Sequence, residues 1–92
     1  MAINLNNCQL LNIVNPNVHC TQIDFISKDQ PDVAKQSLIL FEQQIKYIEV
    51  EAREQFNRVK VSIRGEEDYI YIDFPREQDD LYDLFLRSVY NK

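Results

Sequence analysis

The side chains able to do chemistry are few, and their spacing suits catalysis poorly. His19 is the only histidine, so a serine–histidine or cysteine–histidine mechanism has to run through it. Its neighbour Cys20 would project to the opposite face of an extended strand, which takes the nearest nucleophile away from the imidazole. A histidine satisfied within a strand accounts for it better. Cys8, His19 and Cys20 offer at most three soft ligands and lack the paired spacing of a zinc site. Glu66-Glu67-Asp68 and Asp79-Asp80-Asp83 gather carboxylates, but neither follows the Asp-x-Asp-x-Asp-Gly…Glu order of a calcium loop, which leaves only adventitious cation binding. One glycine, Gly65, and three prolines exclude a glycine-rich phosphate cradle. The chain is expected to be no enzyme and to use no cofactor or metal.

The acids differ in how they are distributed. Residues 1–64 carry seven acids and seven bases, whereas residues 65–92 carry eight acids (Glu66, Glu67, Asp68, Asp73, Glu77, Asp79, Asp80 and Asp83) against Arg76, Arg87 and Lys92. The whole net charge of -5 therefore sits in the last third. Acids at a helix start and in a hairpin loop are favourable for structural reasons alone. A chain selected only for solubility would nevertheless intersperse the signs.

The elements that must position these groups can be read from hydrophobic period. Residues 9–14 and 18–26 read as strands around an Asn15-Pro16-Asn17 turn, although 9–14 equally fits a helical turn beginning near Leu5. Asp29-Gln30-Pro31-Asp32 reads as a helix start. Ala34, Leu38, Phe41, Ile45, Ile48, Ala52 and Phe56 then recur at spacings of three and four, predicting a long helix with this stripe as core. On that helix Glu42–Lys46, Glu49–Arg53 and Glu54–Arg58 would be i,i+4 ion pairs.

Val59, Val61 and Ile63 alternate with polar residues, as do Ile70, Ile72 and Phe74, predicting a second hairpin with Tyr69, Tyr71 and Asp73 on its other face. A four-residue loop would set Lys60 opposite Asp73; a two-residue turn would set Arg58 there instead. Leu81, Leu84, Phe85 and Ser88 or Val89 predict a final amphipathic helix from about Gln78 to Tyr90. The expected fold is α+β, ββαββα: an antiparallel sheet of two hairpins with two helices on one face, as a single domain over residues 1–92.

Ninety-two residues, 45% of them hydrophobic, suffice for one core without disulfides. No run of ~18 apolar residues offers a membrane span, and Met1 to Asn7 lacks the features of a signal peptide, so a cytoplasmic location is expected. Two cysteines outside any C-x-x-C pair fit a reducing compartment. Direct nucleic-acid binding is disfavoured, because the bases are matched by acids.

An unpaired acidic surface instead attracts basic ones, and DNA-binding sites are the basic surfaces most often kept open in a cell. Asp79, Asp80 and Asp83 sit at helical spacings that can present charges in phosphate-like rows, and Tyr69 and Tyr71 beside Asp73 offer aromatic anchors. In size, acidity and segments such as Glu66-Glu67-Asp68-Tyr69 and Glu77-Gln78-Asp79-Asp80-Leu81-Tyr82-Asp83, the chain resembles the Arn family of phage antirestriction proteins, which are DNA mimics. The balanced charge of residues 1–64 departs from that character. The resemblance implies a homodimeric phage early protein that occupies the DNA-binding surface of a host protein, such as the McrBC nuclease or the nucleoid protein H-NS, in the host cytoplasm. The alternative is a shape-specific inhibitor or immunity protein acting on a toxin or defence enzyme without imitating DNA. A small metal-dependent enzyme is a third reading.

Overall fold

A computed structural model describes residues 4–5, 8–30 and 32–90. Among them lie seven strands and one α-helix: β1 (Asn4–Leu5), β2 (Cys8–Asn17), β3 (Cys20–Ser27), β4 (Gln36–Phe41), β5 (Ile45–Ala52), β6 (Phe56–Ile63), β7 (Tyr69–Pro75) and α1 (Asp79–Tyr90). Single 3-10 turns at Glu42–Gln44 and Arg76–Gln78 join β4 to β5 and β7 to α1. One sheet has the order β1-β7-β6-β5 and the other β2-β3-β4. The expected ββαββα arrangement with two helices is therefore wrong; the protein is mostly sheet with one C-terminal helix.

The error lies in residues 34–56, where a long helix was expected. Two strands in series occupy this segment, and Phe56 opens a third. Within β4, Leu38 and Leu40 lie opposite Ile23 and Thr21, while Ile39 and Phe41 face outward and are half-exposed. Within β5, Tyr47, Glu49 and Glu51 share one face and Ile48, Val50 and Ala52 the other. The turn at Glu42–Gln44 resets the alternation between the two strands, so apolar positions in separate strands fall at spacings that mimic a helix. None of the seven stripe residues is fully buried; Leu38, Ile45 and Ile48 pack at the margin of the core. The segment is also rich in β-branched and aromatic residues, which favour strands. The i,i+4 pairs expected on that helix do not form. The predicted helix start is a pair of turns, with Gln30 N–H on the Ser27 carbonyl and Val33 N–H on that of Gln30; Pro31 lies outside the described residues.

Both hairpins form. In the first, the turn is at Val18–His19 rather than Asn15–Asn17, and Pro16 lies within β2, an edge strand that tolerates its missing donor. The helical alternative near Leu5 does not occur, since Leu5 pairs in β1, parallel to β7. In the second hairpin Arg58 faces Asp73, Lys60 faces Tyr71 and Ser62 faces Tyr69, which is the register of the shorter turn. The last helix matches its expected span.

A single hydrophobic cluster draws on both sheets: Val59, Val61, Ile70, Ile72 and Phe74 from one, and Leu10, Ile13, Ile23, Phe25 and Leu40 from the other. Helix α1 packs on β2, β3 and β7. Its Phe85 is fully buried against Phe74, ring centroids 5.5 Å apart, and Tyr82 reaches the same ring at 5.7 Å. Full burial of Phe74 and of Phe85 stabilises by ~1.5–3 kcal/mol each. Among the described residues no helix is long and apolar enough to cross a membrane.

Candidate partner-binding surface

Strand β7 organises the acidic third. Glu66, Glu67 and Asp68 precede it in an exposed loop, and Glu77, Asp79, Asp80 and Asp83 follow it, all exposed, around the start of α1. Seven extended residues span ~20 Å, so the two groups stand at opposite ends of the sheet and form no continuous row.

Local sequence builds each end. Gly65 takes φ +84°, and Glu66 N–H donates to the Ile63 carbonyl at 3.1 Å, closing a turn that lifts the loop acids into solvent. At the other end, the Gln78 side-chain amide donates to the Leu10 carbonyl at 2.7 Å and the Arg76 guanidinium to the Arg53 carbonyl, tying the Arg76–Gln78 turn to both sheets. Asp79 accepts a hydrogen bond from the Asn57 side chain at 3.5 Å. The acids of the first turn also meet the positive end of the helix dipole.

Asp73 does not belong with them. It is buried, and Arg58 opposite it donates from Nε and a terminal nitrogen to both carboxylate oxygens, at 2.8 and 3.1 Å. That bond is the main reason the guanidinium pKa lies above its ordinary value. The Arg58 guanidinium also lies over the Phe56 ring at 5.4 Å and the Tyr71 ring at 5.6 Å.

Tyr69 and Tyr71 stand on the open face of the four-stranded sheet, and Tyr47 of β5, which the helical reading had hidden, joins them. Ring centroids are 6.1 Å apart for Tyr47–Tyr69 and 6.2 Å for Tyr69–Tyr71. The Tyr47 and Tyr69 hydroxyls share a hydrogen bond of 2.6 Å, which with partial burial pushes the Tyr69 pKa up to about 12. Beside them Glu51 is held by Lys60 and by Arg53, and its carboxyl is pulled down to about 2, chiefly by Lys60. The open face is thus aromatic and close to neutral.

Among the described residues, Glu66, Glu67, Glu77, Asp80 and Asp83 have no ion pair, and neither do the exposed Asp32, Glu49 and Glu54; the pairs that do form use Asp24, Glu42, Glu51 and Asp73. No three His, Cys, Asp or Glu side chains among the described residues are grouped to hold a metal ion. His19 is exposed in the β2–β3 turn, 3.7 Å from Glu42, and Cys20 beside it is buried. Cys8 and Cys20 lie at opposite ends of the β2–β3 ladder.

No family model, curated protein or solved structure matches the chain. Its function has to be sought in its own surface.

Proposed function

We propose that this is an acidic DNA-mimic inhibitor that occupies the basic DNA-binding surface of a host protein, a restriction nuclease or nucleoid protein, in the cytoplasm. The observation that carries the reading is the set of five exposed carboxylates without ion pairs at the two ends of β7, flanking a sheet face on which Glu51 is paired with Arg53 and Lys60 and Asp73 with Arg58. Their ~20 Å separation equals about six phosphate steps along one DNA strand, so the imitation is of two phosphate groups and not of an unbroken backbone. A fitting partner carries two basic patches at that distance.

The Tyr47–Tyr69–Tyr71 group favours a second reading, a shape-specific inhibitor or immunity protein anchored by aromatic contacts, because solvent-accessible tyrosines clustered on a sheet face suit interface hot spots. A pull-down from bacterial lysate separates the two when repeated with excess duplex DNA and at higher salt. Mimicry expects the bound protein to be released by both treatments. Recovery only of partners indifferent to both would sink it.

A further inference from the structure

Four strands form the edges of the two sheets, and three of them carry devices that discourage a further strand. β1 is two residues long, β2 contains Pro16 and two register shifts, and β5 carries Lys46, Glu49 and Glu51. Among the described residues β4 pairs only with β3, and from Gln36 to Phe41 it has no charge, no proline and no register shift. Its free edge faces a groove of about 220 Å³ whose other wall is formed by Ile63 and Ile70. Leu38, Ile39 and Leu40, three consecutive residues, line this groove. Alternate side chains point to opposite faces, so a strand contributes three in succession only along its backbone edge. Gln44 lines one end, where its carbonyl accepts a hydrogen bond from Arg64 N–H at 2.8 Å and continues the β5–β6 pairing. Glu66 and Asp68 stand at the rim.

We propose that the free edge of β4 takes up an extended segment of a partner protein as an added strand, with apolar side chains alternating with lysine or arginine. The edge demands an extended backbone, since only that conformation meets a row of strand donors and acceptors. The groove takes apolar side chains one or two at a time; its volume is below the ~300–1,000 Å³ of sites that enclose a small molecule. Glu66, which has no ion pair, and its exposed neighbour Glu67 select a basic segment. The proposal deepens the acidic-surface reading by giving the partner's contact segment a conformation, and it rests on that reading only for the sign of the charge.

The test is a titration of the isotope-labelled full chain with a short synthetic peptide alternating valine and lysine, followed by backbone amide resonances. The expected result is a shift of the Leu38–Leu40 amides, with binding weakened at least tenfold when the peptide nitrogens that face β4 are methylated, because each methyl removes a main-chain donor. A peptide alternating valine and glutamate should bind more weakly, as should the lysine peptide to Glu66→Lys/Glu67→Lys. Unmoved β4 amides, or equal binding of the methylated peptide, would overturn the proposal. So would concentration-dependent self-association abolished by Ile39→Lys, which assigns the edge to a second copy. A lysate partner that competes with DNA yet binds Ile39→Lys unchanged would discard the groove and leave the acidic reading standing.

Discussion

Arg58 and Asp73 face each other across β6 and β7, and the guanidinium holds both carboxylate oxygens at 2.8 and 3.1 Å. The pair neutralises one acid of the C-terminal third and makes it a structural group. Asp73→Asn leaves a partly buried guanidinium without its counter-charge and should cost about 2 kcal/mol. For a domain of this size that lowers the melting temperature by ~8–16 °C. An unchanged melting temperature with reduced partner capture would return Asp73 to the binding set.

Glu51 supplies an acid-side limit on stability. Its pKa is about 2 in the folded protein against an ordinary value of 4.5, so the folded state binds fewer protons than the unfolded one between those values. The stabilisation is present above pH 4.5 and lost as pH falls towards 2. Asp24, lowered by hydrogen bonds from Ser37 and Gln22, acts in the same direction. Thermal melts across this range should show a steeper fall for the parent than for Glu51→Gln.

The Tyr47–Tyr69 bond acts at the alkaline end. Tyr69 ionises at about 12, above the ordinary 10.0, so the folded state retains its proton longer and this contribution is lost as pH rises from 10 to 12. Tyr47→Phe removes the first cause of the shift. Tyrosinate absorbance should then show one group titrating closer to 10, and an unaltered curve would contradict the assignment.

Gly65 is constrained by its backbone and not by space. Its φ is +84°, and a Cβ there would meet nothing within 4 Å. Gly65→Ala should destabilise by about 1–2 kcal/mol through the torsion alone. Gly65→Asn should recover part of that, because asparagine tolerates this region; equal melting temperatures for all three would refute the account.

The exposed acids should behave oppositely to Asp73. Glu66→Gln/Glu67→Gln and Glu77→Gln/Asp83→Asn should each leave stability within ~0.5 kcal/mol. Each pair should weaken partner capture in part, and all four changes together should weaken it further. Complete loss from a single tyrosine change, with the acid variants silent, would favour the shape-specific reading.

The strands 59–63 and 70–74 and the helix 79–90 were legible because their apolar residues fit one period only, and the charge partition after Arg64 needs no structure at all. Residues 34–56 were illegible for a definite reason. Leu38, Phe41, Ile45 and Ile48 satisfy helical spacing, yet they also satisfy two strands joined by a three-residue turn that resets the alternation. Only the pairing of β4 with β3 and of β5 with β6 breaks the tie, and those contacts lie outside the i,i+3 and i,i+4 spacings that hydrophobic period reads. The same long-range pairing chose Arg58 over Lys60 as the partner of Asp73 and brought Tyr47 beside Tyr69. By itself the sequence determined which acids exist in excess, because charge is a sum over residues. Tertiary structure decided which remain exposed, how far apart they stand and which strand edge lies open beside them, because each of these depends on what a residue faces.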